Sequence, residues 1–107
     1  MNALKNKLVI LAPAQWEMEE IALVHLELSG IESARGITSS IYNALKLLRT
    51  TPNMGVDCSK KPLNLHGYRM LICSHYLYMY RVVKEFVYVY HIVDGRTNYP
   101  KLLRDPQ

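Results

Sequence analysis

Arg81 and His91 are the charged and the readily titratable side chain inside the two strand runs, Tyr76–Val83 and Phe86–Val93, of the most apolar stretch of the chain, Tyr76-Leu-Tyr-Met-Tyr-Arg-Val-Val-Lys-Glu-Phe-Val-Tyr-Val-Tyr-His-Ile-Val-Asp-Gly-Arg96. A guanidinium is a permanent cation whose fork of donors suits phosphate and carboxylate groups. An imidazole changes charge near neutral pH. More cations share this half of the chain: residues 58–107 hold eight Lys or Arg against three Asp or Glu, and residues 1–57 hold five against six. The formal charge of +4 therefore sits on the strand-rich half, which favours anionic partners such as nucleic acid or an acidic polypeptide. Lys60-Lys61-Pro62 lies in a polar segment, Val56 to Asn64, where a basic pair is ordinarily just solvated. His25 runs alongside an apolar helical stripe with no second ligand spaced near it, so it reads as an edge histidine hydrogen-bonded at a helix–sheet margin. Cys58 and Cys73, in a chain with no export signal, read as reduced thiols of a cytoplasmic protein and not as a disulfide or metal site. No metal and no cofactor are expected.

The elements that must hold these residues follow from pattern. Val, Ile, Tyr and Phe dominate two runs, Tyr76–Val83 and Phe86–Val93, split by Lys84-Glu85. Such residues suit a pleated, half-buried surface, and the short polar break marks a hairpin. A two-residue loop sets Val83 opposite Phe86, Arg81 opposite Tyr88, Met79 opposite Tyr90 and Leu77 opposite Ile92. The other side then carries Tyr76, Tyr78, Tyr80, Val82, Val87, Val89, His91 and Val93. Both sides are apolar enough to place the hairpin in the middle of a sheet. An unpaired buried arginine is rare, so the Arg81 side is expected open and the valine side covered.

Upstream, Leu8–Ala12 reads as a first strand buried on both sides, and Pro13 suits the first turn of a helix. Glu17, Glu19 and Glu20 near that helix start favour its dipole. Met18, Ile21, Val24 and Leu28 recur at helical spacing until Ser29-Gly30 ends the helix. A second helix, roughly Glu32 to Thr50, carries the stripe Ala34, Ile37, Ile41, Ala44, Leu45 and Leu48. Tyr68–Cys73 is the strand before the hairpin. At 107 residues the chain is one α+β domain, 1–107, in the order β-α-α-β-β-β, with a mainly antiparallel sheet backed by a helical hairpin. No apolar run spans a bilayer.

That order, with Leu8-Val-Ile-Leu-Ala-Pro-Ala-Gln-Trp-Glu-Met-Glu-Glu-Ile21, Leu45-Lys-Leu-Leu-Arg-Thr-Thr-Pro-Asn-Met-Gly55, His66-Gly-Tyr-Arg69, Tyr76-Leu-Tyr-Met-Tyr-Arg-Val82, His91-Ile-Val-Asp-Gly-Arg96 and Tyr99-Pro-Lys-Leu-Leu103, resembles the RelE/ParE superfamily of bacterial toxins. The resemblance implies a small toxin with a twisted antiparallel sheet, silenced by a cognate antitoxin. RelE-like members cleave messenger RNA on the ribosome; ParE-like members poison DNA gyrase. For a nuclease, the resemblance implies Arg96 at the developing phosphate charge and Tyr99 as general acid, with Arg81 and His91 assisting. Leu77 stands where the family carries an arginine, and Met70-Leu-Ile-Cys73 lacks its lysines, so the pattern looks closer to the ParE side. An inert relative that only binds its partner is the third reading. Tyr88, Tyr90, Leu102, Leu103 and Arg69 are the expected antitoxin contacts.

Overall fold

The computed structural model describes residues 6–57 and 67–95. In chain order these form β1 (Lys7–Ile10), α1 (Ala12–Ser29), α2 (Ile31–Thr50), β2 (Val56–Asp57), β3 (Arg69–Cys73), β4 (Tyr76–Val83) and β5 (Phe86–Asp94). The strands make one sheet in the order β1-β5-β4-β3-β2, so the hairpin of β4 and β5 does occupy its middle. All pairs are antiparallel except β1 with β5. The expected α+β architecture is the one observed, with the two-residue β2 added at the edge.

The α2 stripe behaves as its spacing requires. Ile41, Ala44, Leu45 and Leu48 are buried against Tyr78, Tyr80, Val87, Val89 and Ile92, with Ile37 packed at the margin. Gly30 alone separates the two helices. It takes φ 90°, a backbone region open to glycine at no side-chain cost, and its N–H closes α1 by donating to the Leu26 carbonyl at 3.0 Å.

The first helix departs from its pattern. Only Ala14 and Met18 are buried, while Val24 is 42% and Leu28 81% exposed. α1 is apolar nearly all round, so its stripe does not single out one inward face. Nor do the glutamates sit in the first turn, which holds no acidic residue. Pro13 is in that first turn, as expected. The strand before it ends at Ile10 and is a half-buried edge strand, not one buried on both sides.

The hairpin register holds near the turn and slips farther out. Lys84 adopts φ 55°, the left-handed conformation two-residue hairpins call for, and Val83 pairs with Phe86 and Arg81 with Tyr88. Beyond Tyr80, which pairs with Val89, Met79 pairs with His91 and Leu77 with Val93. The expected Met79–Tyr90 and Leu77–Ile92 pairs are therefore absent. One extra residue in β5 makes a bulge, and a bulge reverses the faces beyond it. Ile92 turns to the helix side, and Val93, expected there, joins the opposite side. That opposite side, expected open, is covered at its centre: Leu77 and Met79 are buried among Tyr68, Met70 and Val93. Ile72 and Val83 at its margins are exposed. Among the described residues no helix is long and apolar enough to cross a membrane.

Candidate functional site

The bulge creates a backbone problem, and α1 solves it. β1 pairs with β5 only through Val89, and among the described residues no strand pairs with the outer edge of β5 beyond that point. Glu17 reaches down from α1 to this edge. Its Oε1 accepts the Ile92 N–H at 3.0 Å, and its Oε2 accepts His91 Nδ1 at 2.9 Å. A carboxylate thus stands in for the missing strand, where an unmade backbone bond would be costly. His91, a candidate acid or base from the sequence, is a partner in this clasp. By sequence Glu17 serves only the helix dipole; 74 residues separate the pair, and no local pattern joins them.

Arg81 lies on the face away from the helices, flanked by tyrosines. Its guanidinium carbon is 5.3 Å from the Tyr68 ring centroid, and Nη1 donates to the Tyr90 hydroxyl at 3.4 Å. Tyr68 and Tyr90 meet edge to face at 5.1 Å. The cation–π contact is with Tyr68, not with the cross-strand Tyr88, which stacks on Phe86 at 5.8 Å. Desolvation of the Tyr68 hydroxyl, with Tyr90 beside it, pushes its ionisation above the ordinary value against the pull of Arg81.

Arg69 faces the turn that follows α2. Its Nη2 donates to the carbonyls of Asn53, at 3.2 Å, and Gly55. The fully buried Tyr80 closes the same turn, donating to Pro52 O at 2.7 Å and accepting the Gly55 N–H at 3.0 Å. His25 takes the marginal position expected of it, with Nδ1 3.0 Å from Ser33 Oγ and Nε2 3.2 Å from Tyr76 Oη. Burial raises the ionisation of the Tyr76 phenol, and Asp94 nearby raises it further.

The sequence candidates are thus brought together only in part. Arg81, Tyr90 and Tyr68 form one cluster, with Tyr88 paired across from Arg81. Arg69 lies toward the β2 edge and His91 toward α1. Arg96, Tyr99, Leu102, Leu103, Cys58, Lys60 and Lys61 lie outside the described residues. No cluster of three or more His, Cys, Asp or Glu able to hold a metal occurs among the described residues.

No protein-family model matches the chain, and no curated protein matches it. Solved structures do. A chain of the chromosomal ParDE system from P. aeruginosa is similar with TM-score 0.70 and 20% identity, covering 84% of this chain and 96% of that one. A chain of the toxin–antitoxin complex RelBE2 from Mycobacterium tuberculosis is similar with TM-score 0.61 and 13% identity, covering 84% and 98%. The likeness establishes a RelE/ParE-like fold.

Proposed function

We propose that this chain is the growth-inhibiting toxin of a type II toxin–antitoxin pair, acting in the cytoplasm in the ParE-like manner on DNA gyrase and silenced by a small cognate antitoxin. The fold shared with chains of the ParDE and RelBE2 systems supports the toxin reading. One observation carries the choice of activity: the sheet's polar groups hold structure together. Arg69 grips the turn after α2, Arg81 is held between Tyr68 and Tyr90, and His91 is clasped by Glu17. Cleavage of RNA needs cations and an acid or base free to follow charge on a phosphate. Leu77 is buried, and the stretch from Met70 to Cys73 offers no cation. With Arg69 and Arg81 so engaged, the described sheet supplies few cations for that chemistry.

Purified wild-type protein is expected to stop gyrase supercoiling or to accumulate broken DNA, and to leave ribosome-bound message intact. Position-specific cleavage of message, lost in Arg96→Ala with the melting temperature nearly unchanged, would assign the RelE-like activity instead. Unimpaired growth on expression without the partner would leave only the inert, partner-binding reading. Tyr88, Tyr90, Leu102, Leu103 and Arg69 are the antitoxin contacts of this reading, the aromatic and aliphatic members being the usual anchors of interface energy.

A further inference from the structure

A second group of cations gathers at the β1 edge of the sheet, on the side that faces the helices. A cleft of about 370 Å³ lies there between β1 and α2, within the range of about 300–1,000 Å³ over which small-molecule sites run. Its floor is aliphatic: Leu45 is buried, and Leu8 and Ile10 are half-buried. Tyr42, Lys46 and Arg49 line it from α2 at helical steps of four and three, and Lys7 lines it from β1. No described lining residue is acidic.

The cations are open to a ligand. Among the described residues Lys46 has no ion-pair partner. Arg49 Nε donates to the Asn6 carbonyl at 3.2 Å, and the Asn6 N–H donates to the Arg49 carbonyl at 3.1 Å. That reciprocal pair fixes the stem of the guanidinium and leaves its two Nη nitrogens, the fork that suits a phosphate. Lys7 Nζ is 3.3 Å from Glu85 Oε2, but both side chains are more than half exposed, and such a pair holds too weakly to resist a multiply charged anion. Three cations against Glu85 outweigh the roughly half negative charge at the C-terminal end of α2. The backbone adds donors. Lys7 and Leu11 give their N–H groups to the Glu85 and Val89 carbonyls, so Leu8 and Ile10 between them turn theirs outward, to an edge with which no described strand pairs.

We propose that this cleft binds a nucleoside triphosphate, its phosphates held by Lys46, the Arg49 fork and Lys7, and its base lying against Tyr42 over Leu8 and Ile10. A bare anion would use the cations alone, and an apolar ligand only the floor. A flat ring that carries several negative charges uses both, and the Tyr42 ring, 49% exposed, is a surface on which a base stacks. The site lies on the opposite face of the sheet from Arg81, and it does not depend on the toxin reading.

The test titrates the full, isotopically labelled chain with ATP and GTP, and in separate arms with inorganic triphosphate, adenosine and an oligothymidylate. ATP or GTP should shift the amide resonances of Leu8, Ile10, Tyr42, Lys46 and Arg49, and should bind about tenfold tighter than triphosphate or adenosine. Lys46→Ala and Tyr42→Ala should each weaken that binding about tenfold, which corresponds to about 1.4 kcal/mol, and Tyr42→Phe should retain it. Both side chains are exposed, so these variants should fold. Triphosphate binding as tightly as ATP would overturn the proposal, because the cleft would then be a patch for any polyanion. So would shifts centred on Arg69 and Arg81, indifference to both alanine variants, or no binding of either nucleotide. Displacement of ATP by an equal concentration of oligothymidylate would also overturn it, since the cleft would then follow a nucleic-acid strand. Growth arrest on expression is scored separately and leaves the titration untouched.

Discussion

Glu17 is the side chain with the most to lose. It satisfies the Ile92 N–H and holds His91 in one contact, so Glu17→Ala leaves a part-buried backbone donor without its partner. The expected destabilisation is about 1–3 kcal/mol, read as a lower urea midpoint with an unchanged slope. His91→Ala should cost less, because the backbone bond to Glu17 survives. Equal losses from both would mean that the imidazole, not the amide, is what the carboxylate serves. Arg81 is held more loosely. A cation over one ring at 5.3 Å and a hydroxyl contact at 3.4 Å are worth about 1 kcal/mol at a partly exposed site, so Arg81→Ala should fold and lower the urea midpoint only slightly.

Among the elements, the turn after α2 is built to a tolerance of less than a methyl group. A Cβ at Gly55 would lie 2.5 Å from the Tyr80 hydroxyl and 2.6 Å from the Met70 carbonyl oxygen. Gly55→Ala should therefore cost about 1–3 kcal/mol through forced backbone movement, measured by thermal melting; an unchanged melt would mean that the turn is free to shift. The helices make a sharper contrast. Leu48→Ala removes a fully buried side chain and should cost about 2–5 kcal/mol, whereas Leu28→Ala, at 81% exposure, should stay within about 0.5 kcal/mol. The same contrast shows what the sequence made legible. The α2 stripe alternates with polar residues, so its inward face can be read; α1 is apolar around most of its circumference, so its stripe cannot. In β5 the run Val87-Tyr-Val-Tyr90 alternates without interruption, and nothing in it marks the extra residue. The one clue was His91, which unbroken alternation would have turned into the core; the bulge relieves that conflict. Glu17 was unreadable for a different reason. Its partners come from 74 and 75 residues away, a distance over which sequence spacing carries no signal.

Three of the described phenols are desolvated by the fold. Burial pushes the ionisation of Tyr78 well up, and raises that of Tyr68 and Tyr76 as well. Each neutral phenol is favoured by the folded state, so this contribution is fully present below the ordinary tyrosine value of 10.0 and is lost as pH rises through the higher folded values. Unfolding free energy from urea titrations should be insensitive to these groups up to about pH 9 and fall above about pH 10. A flat profile there would mean that the sheet opens enough to hydrate them.

The single parallel pairing has a consequence in time. Lys7 through Ile10 find their strand partner only in β5, in register with Phe86 through Val89, nearly the full length of the described chain away. Emerging from the ribosome, β1 must wait beside a helical hairpin, with Leu8 and Ile10 bare, until the last strand is made. Contacts of such high sequence separation form slowly because the loop they close is long. A chain stopped before β5 lacks both the centre of its sheet and the edge that Glu17 clasps. Whatever activity the finished domain has is thus withheld during synthesis until β5 is in place.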